Sequence, residues 1–291
     1  MSLIGFKARA RQHQIRFREE VLKAGKGDQE YHLSDADARR GLIFFEGCNI
    51  LKAARVRYPN FEHNKACYGN MLRSEHIPFN FFVPLANDLK YARDVINKFM
   101  CGVIGEIILI KIEHAPDPEK ALKDRTSFDV YVEFNHIDGT RGILGIEVKY
   151  TEGAYELKEN SKEAREVQDP NSIYNRLTRK HNLFKEEYLD QLPTDEFRQA
   201  WRNLLLGVSM TRMDKEDSIF EHFTSIILYP EGNDHFRNLV PVISKMLSYG
   251  REELFMGITY EEFISVARDL ANYPEYLRWL QYLEDRYIVK N

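Results

Sequence analysis

Asp129, Glu147 and Lys149 are the residues of this chain whose types and spacing could do chemistry. Two carboxylates with a neighbouring backbone carbonyl make a hard-oxygen donor set. Such a set suits Mg²⁺, which takes few protein ligands and keeps several waters. A lysine one side chain away could orient or deprotonate one of those waters. Burying two acids with a lysine is costly unless they neutralise one another or hold a cation. The grouping therefore needs elements that justify it.

Those elements are legible in residues 126–151, TSFDVYVEFNHIDGTRGILGIEVKYT. In the first arm Phe128, Val130, Val132 and Phe134 alternate with Asp129, Tyr131 and Glu133, the period-2 pattern of a half-buried strand. Asn135 to Gly139 supplies turn chemistry, with Gly139 free to take a positive φ. In the second arm Leu144, Ile146, Val148 and Tyr150 point one way, and Ile143, Gly145, Glu147 and Lys149 the other. A turn centred near Asp138-Gly139 sets Asp129 opposite the segment from Glu147 to Lys149, within roughly a residue.

Asp129, a hairpin, then Glu147-Val148-Lys149 resembles the PD-(D/E)XK nuclease superfamily, with Phe128 where the motif usually has proline. The stretches RSEHIPFNFFVPL, DRTSFD and IEVKYTE are also similar to a subgroup of bacterial restriction-endonuclease-like proteins. The resemblance implies an α/β fold with a mixed α+β sheet, an αβββαβ core carrying added N- and C-terminal helices. It implies a Mg²⁺-dependent endonuclease hydrolysing DNA, with Mn²⁺ as a substitute and RNA not excluded. In that role Asp129, Glu147 and the Val148 carbonyl would bind the metal and Lys149 would position or activate water. Glu75, on a helix ahead of the sheet, would be a further metal ligand, and Asn80 a lesser candidate. Restriction-type enzymes often dimerise to cut both strands, so a homodimer is admitted.

Around this core, residues 3–24 read as a basic helix and Ser34 as the cap of a helix running toward Ala53. Pro78 reads as a helix break, and 86–100 as an amphipathic helix. Residues 106–114 read as a central strand, after which Asp124-Arg125 would brace the turn presenting Asp129. The segment 172–188 mixes Arg176, Arg179 and Lys180 with aromatics, a composition suited to phosphate contact and stacking, though equally to a solvated helix. Thr194 reads as the cap of the next helix; the resemblance implies that a polar residue of that helix lies near the catalytic centre, which makes Gln199 a candidate for meeting nucleic acid, with a surface glutamine as the alternative. Residues 222–229 form a fourth strand, and everything from Phe236 onward reads as helical. The expected division is 1–100 as a helical region, 101–235 as the nuclease core and 236–291 as C-terminal helices, packed as one unit.

Composition bounds the rest. A net charge of −4 gives no global attraction to nucleic acid, so any DNA contact must be local. Three cysteines without paired spacing point to a reducing compartment, hence a cytoplasmic protein. No apolar run approaches the roughly 20 residues of a membrane span. Cys48, His63, Cys67 and His76 fit no zinc-finger spacing and read as packing residues. No P-loop, strand-following GxGxxG or GxSxG is present, which removes support for nucleotide-binding and serine-hydrolase readings. The alternatives to a nuclease are an inactive nucleic-acid-binding or structural protein of the same fold, or an ordinary surface ion pair on an unrelated one.

Overall fold

A computed structural model of the chain describes residues 5–124, 126–158 and 161–290. Its strands are β1 (Ile104–His114), β2 (Phe128–His136), β3 (Arg141–Val148), β4 (Phe220–Tyr229) and β5 (Phe255–Thr259). The helices are α1 (Phe6–Arg16), α2 (Asp35–Arg40), α3 (Ile50–Arg57), α4 (Lys65–Gly69), α5 (Ile77–Asn87), α6 (Leu89–Asn97), α7 (Lys162–Gln168), α8 (Ile173–Lys180), α9 (Arg198–Met210), α10 (Asp234–Met246), α11 (Tyr260–Asp269) and α12 (Pro274–Tyr287). The strands lie in the order β1-β2-β3-β4-β5, antiparallel through β3 and parallel from β3 to β5. Read as α6, β1, β2, β3, α9 and β4, the core has the expected αβββαβ order within a mixed sheet.

Both faces of the sheet are covered. Val130, Val132, Leu144, Ile146 and Val148 pack with α5, α6, α11 and α12 in one core cluster. Tyr131, Ile143, Phe223 and Ile227 pack with α8, α9 and α10 in another. The half-buried pattern expected of β2 holds, with Phe128, Val130, Val132 and Phe134 buried and Asp129 and Glu133 only partly so, while α9 covers the neighbouring strands β3 and β4. Gly207 makes this close approach possible, because a Cβ there would overlap the Phe223 ring of β4.

Several boundaries differ from expectation. Residues 106–114 belong to an edge strand, β1, rather than a central one. Pro78 sits in the first turn of α5, where its missing N–H costs nothing, so it starts a helix instead of breaking one. Ser34 does cap α2, accepting from the Asp37 amide, but Gly41 ends the helix after Arg40. At φ 82° Gly41 closes a left-handed stop in which Leu42 N–H reaches Asp37 O, so nothing helical continues directly toward Ala53. Thr194 turns its hydroxyl to the Gln191 carbonyl, at 2.7 Å, and α9 starts only at Arg198. β5 breaks the expected helical C-terminus; it is five residues long, too short for periodicity to distinguish. After it, Thr259 and Glu262 form the capping box that starts α11.

Candidate active site

The Val130–Ile146 pairing sets Asp129 directly across from Glu147, as the turn predicted. The Val148 amide donates to Asp129 Oδ2 at 2.7 Å. Lys149 Nζ donates to Glu147 Oε1 at 2.6 Å. Glu147 and Lys149 are buried. Their backbone is fixed by the sheet and by the loop that follows it. The Lys149 amide donates to Leu228 O at 2.8 Å, and its carbonyl accepts from the Tyr260 hydroxyl at 2.5 Å. Asn233 Nδ2 then donates to the carbonyls of Tyr150 and Glu152.

Helix α9 completes the arrangement from above. Gln199 Nε2 donates to Glu147 Oε1 at 2.6 Å, and Asn203 Nδ2 to Oε2 at 2.7 Å. The same helix anchors the segment leading into β2. Arg202 Nη2 donates to Asp124 Oδ2 at 2.9 Å and to Thr126 Oγ1 at 2.7 Å. Asp124 also accepts from the Tyr174 hydroxyl and from both the amide and hydroxyl of Thr126. Burial alone would raise the Asp124 carboxyl, but the hydrogen bonds from Tyr174 and Thr126 hold it below the ordinary range. Asp124 thus braces the approach to Asp129 as expected; Arg125 lies outside the described residues. A cleft lined by Glu147, Lys149, Tyr155, Gln199, Asn203 and His235 opens onto the pair.

The charges are not balanced locally. Burial, followed by the nearby Glu147, pushes the Asp129 carboxyl well above its usual value. Burial works against the Lys149 ammonium, yet the Glu147 and Asp129 carboxylates outweigh it and hold that group above its usual range. On β1, Glu113 falls between the Ile112–Val130 and His114–Phe128 pairs and so comes beside Asp129. Its backbone is left-handed, with φ 56°. Burial raises the Glu113 carboxyl, partly offset by a hydrogen bond from Tyr58, and Glu147 and Glu75 raise it further. Three acids against one lysine, all with oxygen donors, is a set that a divalent cation fits: hard ligands with excess negative charge around them.

The structure brings together Asp129, Glu147, Val148, Lys149 and Gln199. The Gln199 amide is committed to Glu147, so that side chain holds the acid rather than standing free toward a ligand. Glu75 precedes α5 and is held by Arg73 Nε and Nη2 at 2.5–3.1 Å; its acidic neighbour is Glu113. Asn80 points away into the core, where it bonds Phe45 N, Ile43 O and the Tyr287 hydroxyl. Arg176, Arg179 and Lys180 line the exposed side of α8, whose other side packs through Tyr174 and Leu177. Lys180 is paired with Asp214 at 2.7 Å. His76 is buried against Arg286, and among the described residues it joins no group of His, Cys, Asp and Glu placed to hold a metal.

Sequence reasoning missed Asn203, Glu113 and His235. Asn203 was within reach, since it lies one helical turn beyond Gln199 on the same face. Glu113 required the β1–β2 register, which no short turn fixes. His235 sits near Lys149 and Glu196, and burial lowers its imidazole; nothing in the sequence marks it.

A family model described as the PD-(D/E)XK nuclease superfamily matches residues 4–289. Comparison with curated proteins and with solved structures gives no match. No helix among the described residues is long and apolar enough to cross a membrane.

Proposed function

Because the chain belongs to the PD-(D/E)XK nuclease superfamily, whose nucleases typically use divalent metals, we propose that it hydrolyses phosphodiester bonds of DNA as a Mg²⁺-dependent, restriction-like endonuclease. The observation that carries this reading is the Asp129, Glu147 and Lys149 constellation, with Glu147 clamped by Gln199 and Asn203. Asp129, Glu147 and the Val148 carbonyl would hold the metal, and Glu113 is the additional acid on hand. When bound, such a cation offsets charge on the scissile phosphate and lowers the pKa of coordinated water.

The chain's own residues supply the remaining work. Gln199 and Asn203 fix both oxygens of Glu147, so its carboxylate is oriented before substrate arrives. Lys149 carries its proton beside Glu147 and offers Nζ as a donor to a phosphate oxygen or an attacking water. Its anchored backbone limits how far that donor can stray. On the outer face of α8, Arg176, Arg179 and Lys180 would meet phosphates away from the cleavage point, adding affinity without sequence information. Cutting both strands of a duplex in one encounter would call for two copies of the chain.

The test is incubation of the purified protein with supercoiled plasmid, linear duplex, single-stranded DNA and RNA in Mg²⁺ or Mn²⁺, beside Glu147→Gln and EDTA controls. Supercoiled plasmid should be nicked or linearised by wild type alone. Cleavage surviving in Glu147→Gln, or confined to RNA, would reject the reading.

A further inference from the structure

We propose that His136, Asp138 and His222 form a second metal site, for a borderline divalent cation of the Zn²⁺ kind, distinct from the Asp129 and Glu147 centre. His136 ends β2, Asp138 lies in the β2–β3 turn, and His222 comes from β4. His136 Nδ1 is 2.9 Å from Asp138 Oδ1, and His222 Nε2 is 3.2 Å from Asp138 Oδ2. One ligand atom from each residue lies within 4.8 Å of the other two. Zinc bonds of about 2.0–2.1 Å place neighbouring corners of a tetrahedron roughly 3.3 Å apart. Each imidazole nitrogen already stands about that far from one oxygen of Asp138, His136 from Oδ1 and His222 from Oδ2, so a turn of the carboxylate and of the two rings, whose centroids stack at 4.0 Å, would bring one oxygen and both nitrogens onto a single cation.

The backbone turns these groups toward one another. Between the Arg141–Phe220 and Gly142–His222 pairs the β3–β4 ladder takes in an extra residue, a bulge of the kind that re-aims a side chain at a sheet's rim. Asp138 is oriented by the Thr140 amide at 2.9 Å and hydroxyl at 2.6 Å, and its own amide lies 3.2 Å from His136 Nδ1. The Thr140 hydroxyl also lies 2.8 Å from His222 Nε2, a contact the cation would replace. Nitrogen donors from two imidazoles with one carboxylate suit zinc better than magnesium, and an exposed fourth corner is left for water. Seven residues of strand separate His136 from Asp129, about 23 Å at 3.3 Å per residue. A cation here would fasten the hairpin turn to the neighbouring strand at the end of the sheet opposite the acids.

The test uses full-length protein stripped with EDTA, desalted, and titrated with Co²⁺ and then Zn²⁺ in the absence of Mg²⁺. Wild type, His222→Gln, His136→Gln and Asp129→Asn are compared by d–d absorption, metal stoichiometry and melting temperature. Wild type and Asp129→Asn should each take up one equivalent at this site and melt higher with it. Both histidine variants should lose that equivalent while melting like wild type without metal. Uptake unchanged in the histidine variants, uptake abolished by Asp129→Asn, or no uptake by wild type would each overturn the assignment. A histidine variant that melts early without metal leaves the other to give the same reading.

Discussion

Replacing Lys149 with methionine keeps the length of the buried stem and removes the only cation bonded to Glu147 among the described residues. Each partner keeps only 8% of its surface in water, so the carboxylate would be left buried without its counter-charge. Breaking such a pair by removing one partner costs about 3–5 kcal/mol. Gln199 and Asn203 still hold both Glu147 oxygens, which places the expected loss at the lower end, about 3 kcal/mol. For a chain of this size that is a fall of about 6 °C in melting temperature, at roughly 2 °C per kcal/mol. Lys180→Met is the control: its pair with Asp214 has a lysine side chain 58% exposed, and should cost about 0–1 kcal/mol. Glu147→Gln combined with Lys149→Met removes the stranded charge and should recover much of the loss. Thermal melts in EDTA, with DNA cleavage measured in parallel, provide the assay. A fall no larger than that of Lys180→Met, or a double variant whose loss equals the sum of the two single ones, would refute the reasoning.

Asp129→Asn should abolish cleavage yet raise the melting temperature of the metal-free protein, since burial and Glu147 disfavour the charged carboxyl there; a lower melting temperature would count against this. Burial and Arg286 hold the His76 imidazole well below its usual value, so below about pH 6.5 the unfolded chain binds a proton that the folded one refuses. Stability should be full above that pH and fall as the pH drops toward about 5, with a shallower fall in His76→Gln by urea denaturation; equal slopes would contradict it. Gly207→Ala drives a methyl into the Phe223 ring beneath α9. It should cost about 1–3 kcal/mol and, by shifting Gln199 and Asn203 off Glu147, lower kcat more than it raises KM; unchanged kcat would indicate that α9 does not position the acid.

The hairpin was legible because its evidence is local. Alternation on both arms and a turn centred near Gly139 fix the register, and that register alone faces Asp129 with Glu147. Its surroundings were not, because they depend on chain distant in sequence. β1 carries an unbroken apolar run that reads as central, yet lies at the edge with α5 and α6 packed on it. β5 is five residues whose strand character comes only from the β4 edge beside it. The half-buried Glu113 and the Asn203 clamp appear only once β1 is laid on β2 and α9 on β3. Thr194 has the right residue type for a cap and spends its hydroxyl on the preceding turn.

The most direct measurement is calorimetric titration of Mn²⁺ into metal-free wild type and Asp129→Asn, both in a His222→Gln background so that only the acid cluster is read. Uptake of Mn²⁺ by the first protein and its loss in the second is the expected result. Equal uptake by both, or none by either, would contradict a cation centre built on Asp129 and Glu147.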